Sequence, residues 1–112
     1  MSTVNICGIP HKVILVEDNF SSDSLHLGEI LYGQCLIKIN KALPEPMRYE
    51  ALSHEIMHGI LLHLGYNEQT EDEQFVQSLA NAINQAFIPK VVGEDNDEIQ
   101  ETEVEEADDN NN

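Results

Sequence analysis

The chain has 112 residues, 21 acidic and 5 basic, for a net charge of −16. That length holds one domain with a modest core, and the charge excludes a basic footprint for nucleic acid. No apolar run approaches the ~20 residues that span a bilayer. The N-terminus lacks the positive stretch and apolar core of a secretory leader, so a cytoplasmic location away from membranes is expected.

Residues 4–9 and 12–17 are rich in β-branched side chains, with Gly8 and Pro10-His11 between them. They predict two strands in a hairpin. Residues 18–26 are polar and turn-prone and predict a loop. His11 and His26 are isolated polar residues and are expected to face solvent. Residues 27–32 and 35–40 flank Gly33-Gln34. A glycine at the first central position suits a type II′ turn, so a second hairpin is expected. In its second arm Cys35, Ile37 and Ile39 alternate with Leu36, Lys38 and Asn40, as in a half-buried strand. Cys7 and Cys35 are far apart, form no C-x-x-C pair, and read as reduced thiols packed on strands.

After a short connection, Pro46 can open a helix. Leu52, Ile56, Met57, Ile60, Leu61 and Leu64 recur at helical spacing, and Gly65 stands where a C-terminal cap belongs. Residues 66–69 predict a turn. Thr70 with Glu73 three residues on reads as a capping box. A second helix then runs to about Phe87, stopped by Pro89, with a stripe of Val76, Leu79, Ala80, Ile83 and Phe87. The predicted fold is α+β: a small antiparallel sheet of two N-terminal hairpins, followed by two packed helices. Residues 1–93 make up this domain. Residues 94–112 hold 10 acids and no Lys or Arg; such a segment cannot bury enough apolar surface to offset its ordering entropy, and a disordered acidic tail is expected.

The first helix carries His54-Glu55-Ile56-Met57-His58, an H-E-x-x-H run. Residues four apart share a helix face, so both imidazoles can meet one metal ion. Glu55 lies about 100° round from His54 and can act on a metal-bound water without being a ligand. The plain alternative is a helix whose histidines make ordinary hydrogen bonds. Zinc is the expected metal, and a catalytic zinc takes three protein ligands and keeps one position open. His63, five residues after His58, lies about 140° away and points elsewhere. On the second helix Glu73 and Asp72 flank the apolar stripe and either could reach the ion, with Glu73 preferred; Glu71 faces solvent.

The segments Leu27-Gly28-Glu29-Ile30-Leu31-Tyr32, Ile37-Lys38-Ile39 and Leu52–Leu61, continued by Glu73–Asn81, resemble small zincin-like metallopeptidases of phages and mobile elements. The resemblance covers residues 4–90. The chain is more distantly similar to the ImmA/IrrE group, where a Glu on the helix after the motif is the third ligand; this implies Glu73 here. It further implies a minimal zincin-like fold, a Zn2+ cofactor held by His54, His58 and Glu73, Glu55 as general base, and an intracellular protein or peptide substrate. Tyr49 and Tyr66 are the tyrosines considered as oxyanion donors. Rival expectations are a non-catalytic, metal-stabilised interaction module and a metal-free interaction protein. A further rival is a YbeY-type endoribonuclease, suggested by His58-Gly59 through Gly65-Tyr66, although its ligand spacing is one residue too long here.

Overall fold

The computed structural model describes residues 2–17 and 27–93 of the chain. The predicted loop over 18–26, His26 within it, and the predicted tail over 94–112 lie outside the described residues.

The first hairpin joins β1 (Ser2–Ile6) to β2 (Ile9–Val16), with Val4 opposite His11 and Ile6 opposite Ile9. Its turn is Cys7-Gly8, both in left-handed backbone at φ 51 and 82. Two positive φ values in succession match the twist of antiparallel strands, the geometry that two-residue hairpins favour. Cys7 is therefore exposed at a turn, not packed on a strand.

β3 (Gly28–Leu31) pairs antiparallel with β4 (Leu36–Asn40), Ile30 opposite Ile37. The expected type II′ turn between them is absent. Tyr32–Gln34 form a 3-10 turn, and Cys35, half-buried, takes the left-handed conformation at φ 50. The left-handed residue thus follows the turn, and Gly33 is not the pivot.

The two hairpins do not make an all-antiparallel sheet. β4 lies beside β2 and runs parallel to it, Val13 opposite Ile37. Near the end of the described residues the chain returns as β5 (Val92–Gly93) against β1, Thr3 opposite Val92. The result is a mixed five-stranded sheet in the order β3-β4-β2-β1-β5. Pattern within each hairpin reports its own turn and pairing; which arm meets the other hairpin depends on packing across the sheet.

α1 (Glu45–His63) starts with Pro46 in its first turn and stops at Gly65. Gly65 at φ 89 lets its own N–H reach Leu62 O and that of Tyr66 reach Leu61 O, closing the helix end. α2 (Asn67–Thr70) is a single turn of helix where a turn was expected. α3 (Glu73–Asn84) is capped by Asp72, whose carboxylate accepts from Phe75 N at 3.1 Å. The capping-box assignment of Thr70 and Glu73 is thereby replaced, and both side chains serve elsewhere. α3 also ends before Phe87, which is exposed beyond it.

α1 is covered on two sides. Val4, Ile6, Val13, Ile37 and Ile39 of the sheet meet Ala51 and Leu52 on one. On the other, Met57 and Leu61 meet Val76 and Ala80 of α3. α3 packs against α1 rather than against the sheet. Gly59 permits the close approach to the sheet: a Cβ there would stand 3.0 Å from Ile6 Cδ1 and 3.2 Å from Ile30 Cδ1.

His11, expected in solvent, is 1% exposed. Strand alternation puts it on the same inward face as Val13. Its Nδ1–H donates to Ile9 O at 2.8 Å, and its ring meets His63 edge-on at 6.0 Å. No helix among the described residues is long and apolar enough to cross a membrane.

Candidate metal centre

One turn of α1 separates His54 from His58, and their Nε2 atoms stand 3.2 Å apart. Glu73, the first residue of α3, brings Oε1 to 2.9 Å from His54 Nε2 and 3.3 Å from His58 Nε2. The short α2 turns the chain back so that the start of α3 faces the middle of α1. Asp72, the other acid weighed for this position, is occupied as the α3 cap. Among the described residues, His54, His58 and Glu73 are the group of three that can share a metal ion. His63 is exposed on another flank of α1, and neither cysteine joins the group.

The hydrogen bonds behind the ligands fix their tautomers. His54 Nδ1 lies 2.8 Å from Gln77 Oε1, an oxygen that can only accept, so Nδ1 carries the proton. Gln77 is held in that orientation by donating Nε2–H to Asn81 Oδ1 at 2.8 Å. Thr70 Oγ1 donates its one proton to His58 O at 3.0 Å. It must then accept from His58 Nδ1–H at 3.1 Å. In the neutral rings each Nε2 then carries a lone pair, aimed at the other and at a carboxylate. Such a group is held together by a shared proton or by a metal cation.

The spacing suits a metal cation. Bonds of ~2.0–2.1 Å at tetrahedral angles put two ligand atoms ~3.3 Å apart. The Nε2–Nε2 and His58–Glu73 separations, 3.2 and 3.3 Å, match that value, and the His54–Glu73 separation, 2.9 Å, is shorter, at hydrogen-bond length. Outer-shell partners on the far ring nitrogens, here Gln77 and Thr70, are what metal-bound imidazoles normally have. Glu73 is mostly exposed, so the group opens to solvent on its side.

Glu55 occupies the flank of α1 turned toward β3. It is 7% exposed, and its Cγ would stand 3.4 Å from a Cβ at Gly28. A larger residue at 28 would also meet Lys38 O and Ile39 Cδ1, both at 3.1 Å, so the glycine keeps room for the acid. Burial, then the charges of Glu73 and Glu29, push the Glu55 carboxyl up to about 8. Tyr32 reaches in from the turn after β3. Its hydroxyl lies 3.5 Å from Thr70 Oγ1. Burial, together with Glu55 and Glu73, raises its pKa against a lowering by the Thr70 bond.

Of the residues expected from sequence, His54, His58 and Glu73 come together, with Glu55 beside them. Tyr66 is exposed at the start of α2. Tyr49, five residues before His54, lies about 140° round the helix from it. Neither is brought to the group. Thr70, Gln77 and Tyr32 were not foreseen. Gln77 had a signal, standing four residues after Glu73 and hence on its face; Thr70 and Tyr32 had none, because their roles depend on how α2 and the 3-10 turn fold back. Compared with known proteins, the chain matches no family model, no curated protein and no solved structure.

Proposed function

We propose that the chain is a zinc-dependent peptidase in a minimal zincin-like fold. The observation that carries the reading is the convergence of two imidazole Nε2 atoms and the Glu73 carboxylate within reach of one ion, with a buried acid alongside. His54, His58 and Glu73 would hold the ion. Bound there, zinc supplies a water of lowered pKa and polarises the scissile carbonyl. Glu55 takes the proton from the attacking water and delivers it to the departing amine.

The substrate class follows from β3. Among the described residues it forms the edge of the sheet beside α1, with Glu55 against it. An extended peptide can add to a sheet edge through main-chain hydrogen bonds and pass the metal without its sequence being read closely. A net charge of −6 over residues 1–93 argues against the YbeY-type alternative, as does His63 on another flank.

Metal analysis of the purified full chain is the first test. One zinc per chain is expected, with Glu73→Ala losing it or holding it weakly. Glu55→Gln is expected to retain zinc and to lose cleavage of a randomised quenched-fluorescence peptide mixture by at least ~100-fold. Turnover preserved in Glu55→Gln removes the peptidase assignment.

One observation favours a non-catalytic, metal-stabilised module as a second reading: the proposed ligands tie α1 to the first turn of α3, and α3 packs mainly against α1. Zinc binding without peptide cleavage in the wild-type chain would select it.

A further inference from the structure

Buried polar atoms are almost always hydrogen-bonded, and among the described residues one side-chain atom departs from that rule: Nε2 of His11. Strand alternation brings it inside. His11 shares the inward face of β2 with Val13, lies opposite Val4 and is closed off from solvent. Its Nδ1 stands 2.8 Å from Ile9 O, which can only accept, so Nδ1 carries the proton. In the neutral ring Nε2 then holds a lone pair, buried and without a donor to meet it. The ring set edge-on against His11 belongs to His63, the last residue of α1.

We propose that His11 and His63 form a second cation site, in which the two imidazoles bind one divalent transition-metal ion and water completes its shell. Imidazole nitrogen is a ligand suited to zinc, nickel and copper. Two ring nitrogens bonded to one ion at ~2.0–2.1 Å set their ring centroids ~5–6 Å apart. The His11 and His63 centroids are 6.0 Å apart. His63 is exposed, so its ring can turn either nitrogen toward His11 and leave the outer side of the ion to water. The Nδ1–H bond to Ile9 O is the kind of outer-shell partner that orients a metal-bound imidazole. Among the described residues no third His, Cys, Asp or Glu joins the pair, so the ion is held more weakly than by His54, His58 and Glu73. Bound there, it would tie the end of α1 to β2, a polar clip on the side of the helix otherwise held by apolar burial. The plain alternative leaves His63 as a basic residue at a helix C-terminus and His11 as a core ring, with no ion between them. Neither case depends on the peptidase reading.

The test titrates the full chain, thiols reduced and metal removed, with zinc, and follows the imidazole nitrogens by NMR. Two equivalents are expected, the weaker one shifting His11 Nε2. His63→Ala, a change at an exposed position, should keep the tighter equivalent and raise the dissociation constant of the weaker one by at least ~10-fold. His11→Phe should lose the weaker equivalent as well. Glu73→Ala should weaken the tighter equivalent and leave the shift at His11 intact, which separates this site from the proposed peptidase centre. A weaker equivalent that persists unchanged in His63→Ala is held by carboxylates or thiols elsewhere and overturns the proposal. So does a His11 Nε2 signal that stays in place up to ~1 mM zinc, whether or not the tighter site fills.

Discussion

The two covered sides of α1 are built differently. Toward the sheet, Leu52 is fully buried among Val13, Ile37 and Ile39, and Gly59 lets the backbone approach Ile6. Toward α3, Val76 and Ala80 are the buried residues of that helix, and much of the remaining contact is polar. There Ser53 donates to Asn84 at 2.7 Å, His54 to Gln77 and His58 to Thr70. The first side is held by apolar burial, which requires no partner and is indifferent to ions. The second gathers two imidazoles and a carboxylate that need a shared proton or cation between them. The proposed metal site is thus mounted with its histidines on the helix packed against the sheet and its carboxylate on the helix packed against α1.

The contrast breaks most severely at Leu52. Leu52→Ala is expected to cost about 2–5 kcal/mol, the range for emptying a fully buried leucine site. Denaturant unfolding measures it, and the loss should be equal with zinc and with chelator. A loss that disappears on zinc addition would mean that the two sides of α1 are not independent.

Zinc itself sharpens the comparison next. At 100 times its dissociation constant a ligand that binds only the folded state adds about 2.7 kcal/mol. Wild-type unfolding with zinc and with chelator should differ by about that amount. Glu73→Ala should show a smaller difference. Thr70→Val comes third. It strips the partner from His58 Nδ1 and is expected to lower zinc affinity about 10–100-fold, as removal of an outer-shell partner does. Competition against a chromogenic chelator reads it.

What the sequence revealed divides along the same line. The H-E-x-x-H run and the apolar spacing of α1 are local patterns and appear in the structure where expected; both hairpins form, but the first turns at Cys7-Gly8, with Pro10 and His11 inside β2, and the second turns without its type II′ turn. Glu73 was reached because helical pitch put it on the flank of a stripe. The parallel meeting of β2 and β4, the strand at Val92, the burial of His11 and the approach of Tyr32 to Thr70 all join residues distant in sequence, and no short window contains them. The error at Thr70 is instructive. S/T-x-x-E is a capping pattern, but Asp72 satisfied the cap two residues later. That freed Thr70 to serve His58 and Glu73 to serve both histidines.

That competition yields the smallest prediction. Asp72 accepts from Phe75 N and so completes one of the unpaired amides at the start of α3. Asp72→Ala is expected to cost about 1 kcal/mol, the usual effect of losing an N-cap, read by urea unfolding. Because α3 leans on α1 and not on the sheet, the cost should fall on the site as well: fraying of the first turn moves Glu73, its first residue. Zinc affinity should drop together with stability. Asp72→Asn, which keeps an accepting oxygen, should restore both. If Asp72→Ala lowers stability while zinc affinity stays at the wild-type value, then the carboxylate of Glu73 is held by the ion and the histidines rather than by its helix, and the polar side of α1 is anchored by the metal site itself.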